Sequence, residues 1–162
     1  MKRILLLISL LALAVSFSDK AYAQLNITQA VETKPEKIMT MQLSYSYLYR
    51  LGNGDYEYWA RTDNRFDKNY TTLFLGNSPE TVLKTLNDLK YLMENEVAAV
   101  NVQQEDGDIV LTFAKQLGAR MLWMKQVGQG GRSWISLQMV DKLIDHFTSL
   151  LPKEDTPEGI TE

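Results

Sequence analysis

The 162-residue sequence has no cysteine and a single histidine, His146. The missing cysteine removes thiol nucleophiles, thiolate metal sites, redox exchange and any lipid-modified cysteine at the amino terminus. With one histidine, an ordinary zinc site would need carboxylates for its remaining ligands. Basic residues are scarce as well. Seventeen Lys and Arg face 20 Asp and Glu, giving a net charge of −3 with no basic cluster. Phosphate binding needs such clusters, so nucleic acid is not an expected partner. No apolar run reaches the about 20 residues of an ordinary membrane span. There is no Gly-x-Ser-x-Gly elbow to serve a triad through His146. No catalytic residue, metal or cofactor is therefore expected.

What is present begins with an export signal. Lys2 and Arg3 form a positive start, Ile4 to Phe17 carries no charge, and Ala21-Tyr22-Ala23 supplies the small-x-small pattern that a signal peptidase requires. The expected signal peptide is residues 1–23, with Gln24 opening the mature chain and no stable membrane insertion after cleavage. Removing 23 residues from 162 leaves 139 and takes the net charge from −3 to −5, since Lys2, Arg3, Lys20 and Asp19 are lost. A chain of this size buries roughly two-thirds of its unfolded surface and can form one core without disulfides. The expected location is periplasmic or secreted.

Residues 24–37 are polar and aperiodic and read as a flexible lead-in, residues 38–151 as the folded domain, and the charged stretch 152–162 as a disordered tail. Odd positions from Met39 to Leu51 are apolar or aromatic, which predicts one strand burying Tyr45, Tyr47 and Tyr49. Asn53-Gly54 predicts a hairpin turn with two residues at positive φ. Its return strand places Tyr56, Tyr58 and Ala60 on one face and Glu57, Trp59 and Arg61 on the other. A third strand follows at Tyr70 to Leu75. Ser78-Pro79-Glu80 is a helix start, and apolar residues at helical spacing extend that helix over 79–94. Four more strands are expected at 98–103, 109–115, 120–126 and 133–137, then a second helix at 138–151 ended by Pro152.

The expected fold is α+β, a single domain with a mostly antiparallel curved sheet in the order βββ-α-ββββ-α and two helices packed on one face. From the third strand onward, the order β-α-β-β-β-β-α over residues 70–151 resembles the layout of TATA-box-binding-protein-like α+β folds. The resemblance implies the curved sheet and the one-sided helices, and no function.

Several residue groups invite chemistry. His146 beside Phe147 reads as a boundary side chain near a helix end. Gly128 to Ser133 looks like a phosphate loop, yet a strand rather than a helix is predicted after it, which makes it a hairpin turn. Asp55, Asp63, Asp67 and Asn69 lack the calcium-loop spacing because Arg65 takes a ligand position. They, or Glu105, Asp106 and Asp108, could supply paired carboxylates for sugar hydrolysis.

The aromatic residues stand out. Tyr45, Tyr47, Tyr49, Tyr56, Tyr58, Trp59 and Tyr70 are seven of the chain's 16. Most read as cross-strand partners and core material. Trp59 differs, because alternation sets it among charged residues. Trp59, Glu57 and Arg61 are therefore the candidate ligand-binding residues. The expected function is that of a soluble, non-enzymatic binding or accessory protein of the bacterial cell envelope, with a protein, peptide or glycan as partner. The alternatives are a small secreted hydrolase acting on glycans through carboxylates and an envelope structural protein. A concave pocket of converging carboxylates with perturbed pKa values would favour the hydrolase.

Overall fold

Alternating side chains and turn residues divide the described residues into eight strands and two helices. The computed structural model describes residues 34–41, 45–64 and 69–152, and the expected signal peptide, most of the lead-in and nearly all of the tail lie outside them. The elements are β1 Glu36–Met41, β2 Ser46–Arg50, β3 Tyr56–Arg61, β4 Tyr70–Gly76, α1 Pro79–Glu94, β5 Ala99–Val102, β6 Ile109–Gln116, β7 Ala119–Gln126, β8 Ser133–Ser136 and α2 Leu137–Leu150. The α+β class and the helix positions are as the sequence predicts. Two details differ. The run from Met39 to Leu51 is two strands rather than one, and the strands form two antiparallel sheets, β1-β2-β3-β4 and β5-β6-β7-β8, neither strongly curled. The split has a simple origin: α1 carries the chain away from β4, so β5 finds its partner in β6 instead.

Each sheet is a meander that ends in a helix, and each helix is capped by a serine. Ser78 Oγ accepts from the Thr81 amide while Thr81 Oγ1 accepts from the Ser78 amide, a reciprocal box around Pro79. Gly76 makes room for it. Its φ is +150°, and a Cβ there would collide with Thr81 Oγ1. Ser136 caps α2 by a single bond, its Oγ accepting from the Met139 amide at 3.3 Å.

The faces of the first sheet correct the sequence reading. β1 pairs antiparallel with β2, with a register shift between Lys37 and Met39. The phase reverses between β1, where Met41 is buried, and β2, where Ser46 and Leu48 point inward while Tyr47 and Tyr49 point outward and Tyr45 is exposed. Within β3 the predicted phase holds, with Tyr56, Tyr58 and Ala60 buried and Glu57, Trp59 and Arg61 outside. The turn between β2 and β3 is wider than predicted. It closes with Leu51 N–H to Asp55 C=O, only Gly54 takes a positive φ, and Asn53 Oδ1 accepts from the Asp55 amide.

One apolar core joins both sheets and both helices, with Leu48, Tyr58, Leu86, Leu122, Ile135 and Phe147 at its centre. Each such side chain contributes on the order of 1.5–3 kcal/mol by leaving water. Tyr58 spans the seam between the sheets. Its hydroxyl donates to the Trp134 carbonyl of β8 at 3.0 Å, and burial pushes its pKa up. The second seam contact is Asp63, whose carboxylate accepts from the Arg132 amide at 2.9 Å and from Arg132 Nε at 3.3 Å. No helix among the described residues is long and apolar enough to cross a membrane.

Candidate functional site on the outer face of the first sheet

With Leu48, Tyr58 and Leu73 committed to the core, the opposite side chains of β2, β3 and β4 form the outer face of the first sheet. Register brings Tyr47 opposite Trp59, Tyr49 opposite Glu57, and Trp59 opposite Thr72. The rings touch in sequence. Tyr49 and Trp59 have centroids 4.8 Å apart, Tyr47 and Tyr49 5.9 Å, and Tyr70 lies 6.2 Å from both Tyr47 and Trp59. Interplanar angles near 50° are the tilted arrangements that aromatic quadrupoles favour, worth about 0.5–1.5 kcal/mol per pair. Lys37 of β1 sets its ammonium 4.1 Å from the Tyr47 centroid, a cation–π contact.

Of the three residues singled out from the sequence, two form a unit. Trp59 Nε1 donates to Glu57 Oε2 at 2.6 Å, which fixes both side chains. Arg61 shares their face and turns to the Tyr45 ring, 5.8 Å from its centroid. Trp59 is partly rather than fully exposed because Tyr49 and Tyr70 cover its flanks.

Beside Glu57 the face descends into a cavity of about 520 Å³. Asp55, Glu57, Glu105 and Asp106 line it together with Thr72, Phe74, Gln103 and Gln104, and no Lys or Arg among the described residues does. The far wall is the turn between β5 and β6. Gln126 Nε2 donates to the Asp106 carbonyl at 2.7 Å and the Val127 amide to the Asp108 carbonyl at 2.8 Å, so the wall is pinned to β7. Burial pushes the Glu57 carboxyl above its usual range; the Trp59 hydrogen bond opposes this, and the nearby charges of Asp106 and Asp55 add to it. Four carboxylates, with no cation among the described lining residues, make the cavity electronegative.

Sequence reasoning missed much of this arrangement. Tyr47 and Tyr49 were assigned to the core. Gln104 and Phe74 carried no signal, because only the fold brings the β5–β6 turn to β4. Other candidates are structural. Asp63 is bound to Arg132, Asp67 lies outside the described residues, and Gly128 to Ser133 leads into β8 rather than a helix. His146 packs edge-on against Phe147, with centroids 5.2 Å apart. Among the described residues, no group of three or more acidic or histidine side chains could hold a metal ion. Comparison with protein-family profiles, curated proteins and solved structures finds no match to this chain.

Proposed function

We propose that the chain is an exported, non-enzymatic binding protein of the cell envelope, periplasmic or secreted, which holds a protein or peptide partner on the outer face of its first sheet. One observation carries this reading: four contiguous aromatic side chains, Tyr47, Tyr49, Trp59 and Tyr70, face outward from a sheet whose other face supplies the core. Outward aromatic clusters of this kind are typical of protein interfaces. The rings lean on one another at about 50°, and Lys37 occupies a face of Tyr47. A glycan platform would instead offer open, flat ring faces, which favours the protein partner. The carboxylates at the cavity set the sign of its charge as positive.

The test compares the mature protein with Trp59→Ala. The expected result is a variant that stays folded, destabilised by about 1–3 kcal/mol through its lost ring pairs, with at least about tenfold weaker capture of the envelope protein that the wild type retains, as for an aromatic hot spot. Unaltered capture by a folded variant would remove Trp59 from the interface.

The cavity favours a second reading, a carboxylate hydrolase. Glu57 has a raised pKa beside Asp55 and Asp106, as a general acid requires. Glycan turnover that disappears in Glu57→Gln would establish it over the binding reading.

A further inference from the structure

Among the described residues, no strand pairs with the outer edge of β4, the last strand of its sheet. Such an edge is a template for another strand. Two of its backbone groups are nevertheless bonded, and by one side chain. Gln104 Oε1 accepts from the Phe74 N–H at 2.8 Å, and Gln104 Nε2 donates to the Thr72 carbonyl at 3.0 Å. These groups flank Leu73, and a single residue of a parallel neighbouring strand would engage the same pair. The Gln104 carboxamide therefore supplies the donor and the acceptor that the N–H and C=O of one residue of an added strand would supply.

We infer that the β4 edge is the docking line for an extended, basic segment of the partner, which displaces the Gln104 carboxamide and adds a strand to the first sheet. The inference rests on the binding reading above and names the mode and the chemistry of the partner. Exchange of one amide for another leaves the hydrogen-bond count unchanged, so displacement at this rung is nearly balanced. Further rungs along Tyr70 to Phe74 and the charge of the cavity supply the net attraction. Side chains of an added strand alternate, so every second one falls on the face that holds Asp55, Glu57, Glu105 and Asp106. Gln104 can leave without loosening the cavity wall, because Gln126 and Val127 hold the β5–β6 turn independently.

The experiment is an NMR titration of isotope-labelled mature protein with two synthetic capped peptides, one alternating Lys and Val, the other alternating Glu and Val. With the Lys peptide, the Phe74 backbone amide and the Gln104 side-chain amide are expected to shift together and saturate. The Glu peptide is expected to bind at least about tenfold more weakly. Gln104→Ala, which removes the internal competitor, is expected to bind the Lys peptide several-fold more tightly, and the wild-type shifts provide a readout that needs no variant to fold. Shifts confined to the Trp59 indole, with Phe74 and Gln104 unmoved, would overturn strand addition and leave the aromatic face as the binding surface. No shift at all with the Lys peptide would overturn the inference too, and the fate of the aromatic face would then rest on partner capture by Trp59→Ala.

Discussion

At the scale of single residues, Trp59 and Glu57 carry the account because each restrains the other. The indole fixes a carboxylate that burial and two acidic neighbours disfavour, so Glu57 is kept at some cost in stability. The sign follows from linkage. With its pKa raised in the folded state, the folded protein binds this proton more tightly than the unfolded chain does. Stability from this group is therefore present at low pH and lost as pH rises from about the ordinary carboxylate value through the raised one. Glu57→Gln, which keeps an acceptor for Trp59, is expected to melt higher than wild type at pH 7. The difference is expected to shrink towards zero below about pH 4, where both states of the wild type are protonated. A gap that stays constant across pH would mean that Glu57 carries no such penalty. The outward placement of Trp59 was legible because alternation from Tyr56 to Arg61 is unbroken. That of Tyr47 and Tyr49 was not, because the phase reverses between Met41 and Ser46 within an apparently continuous pattern.

At the scale of elements, local chemistry explains most boundaries. α1 begins and ends as its capping residues dictate, from Ser78 to Asn95. The β6–β7 hairpin departs from local preference. Leu117 occupies the first position of a two-residue turn with φ at +51°, followed by Gly118 at +82°, and its side chain is fully exposed. Turns of this type favour Asn-Gly, and positive φ costs a residue such as leucine about 1–2 kcal/mol. Leu117→Asn is expected to stabilise the protein by about 1 kcal/mol, raising the melting temperature by about 3–5 °C. A lower melting temperature would show that Leu117 makes a contact this account does not include. Nearby, Glu96 also has a positive φ, +54°, just past the end of α1, and its carboxylate bridges Lys115 and Arg120 beside the turn of the same hairpin. These exposed ion pairs are worth little individually. Neither this bracing nor the Gln104 latch on β4 could be read from sequence, since both join elements far apart in the chain.

At the scale of the whole molecule, the same plan occurs twice: a four-stranded antiparallel meander followed by a serine-capped helix. The division into two sheets escaped the sequence reading because strand patterns give faces and lengths but not which edges meet. The helices were legible because their apolar stripes are regular; α2 buries Met139, Val140, Leu143 and Phe147 of its stripe, while Leu150 at its end is exposed. Phe147 lies at the common core and meets Tyr56 of β3 edge-on, with centroids 5.0 Å apart. Phe147→Ala is expected to cost on the order of 3–5 kcal/mol through lost burial and an unfilled cavity. Chemical denaturation checks this, and a loss below about 1 kcal/mol would mean that α2 does not tie the two sheets together.

The central claim is that the outer face of the first sheet meets a protein partner. Site-specific photocrosslinking in the native envelope tests it most directly, with a photoreactive side chain placed at position 59 and, as a control, at position 84 on the exposed side of α1. The account predicts a discrete protein adduct from position 59 and none from position 84. Adducts of equal yield from both positions, or an adduct from position 84 alone, would contradict it.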